Sequence, residues 1–328
     1  MYSPSNRRIR SGPIARSLVK EVHFDVTKLI QPLFVVESIT KKEEIPGLSG
    51  VYRETTTTLL KQVESDLQKG VQSFLLFGVP ATKKDRDFNY DFTASQIHAL
   101  KKQFANDIFL TVDVCLCSYT SHGHCGILTD GLDHVDNGQS VSALAKAALA
   151  YAQAGADCVA PSDMMDHRIR AIRETLDEHR FFQTLIMSYS AKFHSGFYGP
   201  FRAAADSAPK GELKIKDRAT YQIDPANPTD ALRSSLRDQE EGADILMVKP
   251  GLPYLDILKD LSQQIPLPWA VYEVSGEYAG VELMAERGLV DGPRAHLESW
   301  TAFFRAGAQM VITYGARHAQ QWIKEKSL

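Results

Sequence analysis

An α/β fold, specifically a (β/α)8 TIM barrel with an extended N-terminal arm, is what this sequence predicts, and three observations carry it. Eight short apolar runs rich in β-branched residues recur along the 328 residues. Most of the segments between them have a helical pattern. Several of those segments end in Gly followed by Ala-Asp or Val, the arrangement of a helix C-cap feeding a strand.

The runs are LIQPLFVV (29–36), VQSFLLFGV (71–79), IFLTVDVCL (108–116), DCVAPS (157–162), TLIMSYSAK (184–192), DILMVKP (244–250), PWAVYEVSG (268–276) and AQMVITYGA (308–316). Their near-continuous apolar character suits parallel strands covered on both faces. The helical segments include TTTLLKQVESDLQKG before the second run, SVSALAKAALAYAQAGA before the fourth, HRIRAIRETLDEHR before the fifth and TDALRSSLRDQEEGA before the sixth. A doubly wound sheet would normally carry a phosphate-binding Gly-rich turn after its first strand, and none is present, so the closed barrel is preferred. The phrases KGVQSFLLFGV, AGADCVAPS, EGADILMVKP and AGAQMVITYG resemble one another, but the lengths between them vary too widely for a solenoid.

Two stretches fall outside this rhythm. Residues 1–28 form a basic, weakly apolar arm that cannot bury itself and is expected to pack on a neighbouring subunit, which leaves 29–328 as the barrel. Residues 193–222 form a Gly/Pro/Ala-rich connection after the fifth run, long enough to serve as an active-site lid.

With 44% hydrophobic and 23% charged residues and a net charge of −3, the composition is that of a soluble globular protein, and it gives a nucleic-acid partner no electrostatic basis. No apolar stretch of signal-peptide or membrane-span length is present, so a cytoplasmic protein without membrane attachment is expected. Four cysteines, three of them within DVCLCSYTSHGHCG (113–126), are too few and too clustered for a disulfide framework; such clusters more often bind metal or do catalysis. Cys158 reads as a small buried apolar residue.

In such a barrel, functional residues sit at the C-terminal ends of strands. Lys192 ends the fifth run and Lys249 lies near the end of the sixth, both after apolar residues where a lysine is expensive without a task. A single lysine of this kind more often serves structure or phosphate binding. Two on consecutive strands favour Schiff-base chemistry, because desolvation and like charge both disfavour the ammonium and leave a nucleophilic amine.

Cys115, Cys117 and Cys125 lie at the end of the third run and in the loop after it. Three thiolate ligands leave a fourth position for water or substrate, the pattern of catalytic zinc, whereas simple packing of the thiols is the bland alternative. A redox pair would more often be Cys-x-x-Cys. His122 and His124 could close the metal site; orientation of substrate or hydrogen bonding within the loop is preferred. Asp113 precedes the cluster and could tune it. Ser162 ends the fourth run and Asp163 and Asp166 follow it before a helix, which at least one of them is expected to cap. Arg202 and Arg218, on the expected lid, are candidates for a carboxylate clamp, with a solvated lid charge as the alternative.

Taken together, DVCLCSYTSHGHCG, APSDMMDHRIRAIR, SYSAKFHSGFYGPFRAAA, YQIDPAN, EGADILMVKPGLPYLDIL and YEVSGEYA closely resemble the porphobilinogen synthase (5-aminolaevulinate dehydratase) family, over almost the whole chain after the arm. The resemblance implies a hydro-lyase that condenses two 5-aminolaevulinate molecules to porphobilinogen, with loss of two waters, in tetrapyrrole (haem) biosynthesis. It implies a Schiff base on Lys249 with the propionate-side substrate, and a second one on Lys192 with the acetate-side substrate. Cys115, Cys117 and Cys125 match the catalytic zinc ligands. Arg202, Arg218 and Gln222 match residues at the acetate-side carboxylate, Ser275 and Tyr314 those at the propionate-side carboxylate, and Asp113 and Ser162 polar residues of the pocket.

The family fold is a (β/α)8 barrel whose arm embraces a neighbour, usually in a homo-octamer. Some bacterial members bind an allosteric magnesium near a Glu on the helix before EGAD. The corresponding residue here is Ser234, which weighs against that ion, and the three cysteines mark the zinc type. A different class I Schiff-base aldolase would explain one lysine but not the cysteines. A non-catalytic interaction module with structural zinc would unfold on metal removal.

Overall fold

The computed structural model describes residues 6–211 and 214–326. Residues 1–5 of the expected arm, 212 and 213 of the expected lid and 327 and 328 at the end of the expected barrel lie outside the described residues. The strands are β1 (Leu29–Val36), β2 (Glu43–Ile45), β3 (Leu48–Glu54), β4 (Ser73–Val79), β5 (Phe109–Val114), β6 (Cys158–Pro161), β7 (Leu185–Lys192), β8 (Ile245–Lys249), β9 (Trp269–Tyr272) and β10 (Met310–Ile312). The helices are α1 (Pro13–Leu18), α2 (Thr56–Gln68), α3 (Asp91–Phe104), α4 (Asn137–Gln153), α5 (Arg168–Glu178), α6 (Gly199–Ala204), α7 (Pro228–Glu240), α8 (Leu255–Gln264), α9 (Ser275–Glu286), α10 (Gly292–Ala306) and α11 (Ala319–Lys326). Among the described residues no helix is long and apolar enough to cross a membrane.

Strands β1, β4, β5, β6, β7, β8, β9 and β10 pair in that order, each pairing parallel, and β10 returns to β1 through Leu29↔Val311 and Ile30↔Ile312. The sheet is therefore a closed eight-stranded barrel with helices in the crossovers, as the alternation predicts. Closure removes the exposed edges that an open sheet would have to protect. Local chemistry sets the joints. Thr55 and Thr58 form a capping box that starts α2, and Asp136 accepts the Gln139 N–H at 3.0 Å to start α4. Gly155 and Gly242, in the repeated AGAD and EGAD phrases, take left-handed φ of 103° and 100°, where a side chain would be strained.

Alternation along the strands divides the core in two. Phe34, Leu75, Phe77, Ala160, Met187, Met247 and Tyr272 fill the barrel interior. Leu33, Val35, Leu76, Val112, Leu246 and Val271 face outward into a second layer with Leu59, Ile97, Leu144, Ile172, Leu258 and Trp300 of the helices. Burying each Val, Leu, Ile or Phe is worth roughly 1.5–3 kcal/mol. Cys158 belongs to the interior cluster, is fully buried, and has its thiol pushed up to about 12 by desolvation, which makes it an inert apolar residue as expected.

One irregularity matters for the site. Between Ser188 and Ala191 the register of β7 on β8 shifts, so two β7 residues oppose one on β8. Met187 and Tyr189 point inward; after the shift Ala191 packs outward and Lys192 pairs with Lys249. Arg168, from α5, braces this bulge from behind: its Nη2 donates to Ser188 Oγ at 3.1 Å and Tyr189 O at 3.4 Å, and it pairs with Asp238 of α7 at 3.1 Å, both side chains fully buried.

The β2–β3 hairpin lies outside the eight expected runs. Its apolar residues Ile45, Leu48 and Val51 are spaced by three in a charged segment, so no strand period marks them, yet all are buried with the interior cluster. Several strands also stop short of their apolar runs. The run 268–276 ends as strand at Tyr272, because Glu277 accepts the Val274 N–H and begins α9 at Ser275.

Candidate active site

Lys192 and Lys249 sit side by side at the C-terminal mouth of the barrel, 5% and 4% exposed. Lys192 Nζ donates to the Ser162 carbonyl at the end of β6. Lys249 Nζ is boxed by aromatic rings: Tyr272 at 4.0 Å, Phe201 at 4.9 Å, Tyr189 at 5.1 Å and Tyr198 at 5.5 Å from the centroids. Desolvation, reinforced by the Lys192 charge, pushes Lys249 well below the ordinary lysine range. A larger share of it is then the free amine near neutral pH.

None of those four rings was singled out from the sequence, although Tyr272 lies within the seventh apolar run. Tyr189 alternates inward with Met187, a signal readable from strand period. Tyr198 and Phe201 come from the connection after β7, which no local pattern points into the barrel.

The three cysteines converge a short distance away. All lie after β5, which ends at Val114, so the cluster belongs wholly to the loop rather than partly to the strand. Their sulfurs lie within 4.8 Å of one another, all buried, with Cys115 Sγ and Cys117 Sγ 3.3 Å apart. Hydrogen bonds from Cys115 and Cys117 hold the Cys125 thiol well below its ordinary range, with help from Arg218 and Lys192. A compact, buried, thiol-only donor set beside cations fits a thiophilic d10 ion such as zinc.

His124 has both ring nitrogens engaged away from the sulfurs, whereas His122 has one, its buried Nε2 lying 3.7 Å from Asp85 without a hydrogen bond. His124 has Tyr221 OH at 3.0 Å from Nδ1 and the Ile215 carbonyl at 3.2 Å from Nε2, while His122 Nδ1 accepts the His124 N–H at 3.1 Å. Among the described residues the metal-capable cluster contains no histidine.

Asp113 lies inward on β5 beside Ser162, and burial pushes its carboxyl up to about 6 against the pull of Ser162, Lys192 and Lys249. Above this floor, Arg218 is 5% exposed and donates through Nη2 to Gly123 O at 3.0 Å and Ser207 O at 2.6 Å. Arg202 is half-buried, and desolvation together with Arg218 lowers its pKa. Asp113 Oδ1, Arg202 Nε, Arg218 Nε, Gln222 Nε2 and Tyr189 OH are buried without a hydrogen-bond partner. Orphaned polar atoms of this kind are costly unless a polar ligand meets them.

Ser275, fully buried at the start of α9, accepts the Phe201 N–H at 3.0 Å, and Tyr314 OH lies 3.4 Å from Tyr272 OH inside the barrel. Asp163 faces Arg168, and exposed Asp166 pairs with part-buried Arg237; contrary to the expected helix cap, neither of them nor Ser162 caps α5, whose N-cap is His167 without a side-chain bond.

Comparison with known proteins follows the same outline. A sequence model of the delta-aminolevulinic acid dehydratase family matches residues 4–322. The chain is 42% identical over 315 residues to the delta-aminolevulinic acid dehydratase of Staphylococcus aureus, covering 95% of this chain and 96% of that protein. It is 41% identical over 324 residues to that of Bacillus subtilis, covering 98% of each. Its fold superposes with a TM-score of 0.94, at 41% identity, on the delta-aminolevulinic acid dehydratase (porphobilinogen synthase) of Toxoplasma gondii in complex with porphobilinogen, covering 99% of this chain and 92% of that one. A dihydropteroate synthase from Xanthomonas albilineans shares only the fold, at 12% identity and a TM-score of 0.51. By match length, identity and superposition alike, the chain belongs to the delta-aminolevulinic acid dehydratase family.

Proposed function

We propose that the protein condenses two 5-aminolaevulinate molecules to porphobilinogen with loss of two waters, as a zinc-dependent hydro-lyase of tetrapyrrole biosynthesis. The observation that carries this reading is the pair of buried ladder-partner lysines facing a three-thiol cluster. Joining two identical ketones needs two anchors, and covalent tethering converts a bimolecular encounter into an intramolecular reaction. In this scheme the Lys249 amine adds to the ketone of the propionate-side substrate, water leaves, and a C=N bond replaces C=O; Lys192 does the same for the acetate-side substrate.

Arg202, Arg218 and Gln222 are assigned to the acetate-side carboxylate, a role supported by their unpartnered buried nitrogens. Ser275 and Tyr314 are assigned to the propionate-side carboxylate, and Asp113 and Ser162 to the polar floor. Residues 193–222 act as a lid that keeps water from the imines. Cys115, Cys117 and Cys125 would hold zinc, which when bound acts as a Lewis acid toward a carbonyl or hydroxyl oxygen. At Ser234, Arg237 Nη2 donates to the hydroxyl at 3.2 Å and its guanidinium pairs with Asp166 and Asp238. That resident positive charge argues against magnesium there. We assign the protein to the cytoplasm, as a homo-oligomer, octameric by family resemblance, built through the arm.

A pyrrole assay on purified protein, with and without zinc, tests substrate, reaction and metal together. Chelation is expected to abolish porphobilinogen formation while far-ultraviolet circular dichroism is retained; global unfolding would instead indicate a structural metal. Borohydride reduction with 5-aminolaevulinate is expected to add substrate mass at Lys249, and active protein with no trapped lysine would refute the mechanism.

A further inference from the structure

Glu277, on the first turn of α9, is 5% exposed, and its carboxylate accepts backbone amides from two separate βα connections. Oε2 accepts the Val274 N–H at 2.6 Å, which is ordinary helix capping for an acid at this position. The other two bonds are not local. Oε2 accepts the Gly251 N–H at 3.2 Å and Oε1 the Leu252 N–H at 2.5 Å, in the turn that leaves β8 immediately after Lys249 and Pro250. Charge-assisted bonds from several amides make a strong tether. Burial pushes the carboxyl up to about 7, opposed by the amides of Val274, Leu252 and Gly251.

The tether closes a circuit. Val274 precedes Ser275, whose Oγ accepts the Phe201 N–H, and the Phe201 ring lies 4.9 Å from Lys249 Nζ. We propose that Glu277 is a positioning residue that locks the Lys249 turn to the Ser275–Phe201 anchor, so that the reactive amine and the segment covering it keep one fixed relation. This rests on the assignment of Lys249 as the Schiff-base lysine. A capping role alone needs only the Val274 bond, and the bonds to Gly251 and Leu252 are what the proposal explains.

The test is borohydride trapping with 5-aminolaevulinate, followed by peptide mapping of Lys249, in wild type, Glu277→Gln and Glu277→Asp. Gln keeps the size but turns one acceptor into a donor facing an amide donor. Trapping at Lys249 is expected to slow on the order of tenfold, since small misplacement of a reacting group costs one to two orders of magnitude. The kcat should fall more than KM changes. Asp, which keeps the charge on a shorter stem, should recover part of the rate.

A folded Glu277→Gln trapped at the wild-type rate overturns the proposal. Should Gln fail to fold, Asp decides: slowed trapping supports the proposal and wild-type trapping overturns it. If wild type itself is not trapped at Lys249, the Schiff-base assignment fails and the positioning role falls with it.

Discussion

Burial is what separates Lys249 from the many surface lysines of this chain, and burial is a property of position rather than residue type. The sequence marks Lys192 and Lys249 as costly residues after apolar runs, but it does not say which way Lys192 points: strict alternation from inward Met187 and Tyr189 would turn it outward. Only the β7 bulge brings it to face Lys249. A second buried ionisable group lies outside the proposed chemistry. His296 stacks on Trp322 at 5.2 Å and has Glu282 at 2.8 Å and Glu273 at 3.4 Å. Burial disfavours its charge, yet the bonds to Glu273 and Glu282 outweigh that and raise its pKa to about 9. Because the folded-state value is raised, the stability it contributes is complete below its unfolded pKa of about 6.5 and is lost as pH rises through about 9. His296→Gln should therefore melt well below wild type at pH 6, with the gap narrowing toward pH 10 in thermal scans; a pH-independent gap would mean packing alone.

At the scale of elements, the site is assembled by loops that lean on one another. Gly123, between the two histidines of the cysteine loop, has φ of 75°, and a Cβ there would lie 2.4 Å from the Ala208 carbonyl of the connection after β7. The same Gly123 carbonyl accepts Arg218. Gly123→Ala should therefore part the cysteine loop from the covering segment, with a strain on the order of 2 kcal/mol or more. Faster proteolysis within 206–218 and weaker zinc binding, measured by competition with a chromogenic chelator, are the expected results; unchanged proteolysis would show that the two loops move independently. The long connection after β7 is legible as an insertion by its length and composition. Its inward aromatics, Tyr198 and Phe201, are not, because nothing local tells a residue that the barrel mouth lies beneath it.

For the whole molecule, the described part of the arm leaves Ile14 and Leu18 of α1 83% and 84% exposed, two apolar side chains one helical turn apart that a neighbouring subunit could cover. Deleting residues 1–28 is expected to reduce the assembly by light scattering while the barrel stays folded by circular dichroism; an unchanged mass would remove the arm from the assembly contacts. The sequence by itself determined the barrel and its eight parallel strands, since apolar runs and Gly caps are local signals that each βα unit repeats. It also marked the residues proposed to carry the chemistry, because two lysines and three thiols in such places are costly without a task. Only the tertiary structure decided how those residues face one another: the inward turn of Lys192, the aromatic box on Lys249 and the Glu277 tether. Each depends on contacts between segments far apart in the chain, and such contacts leave no periodic trace in the sequence of either segment.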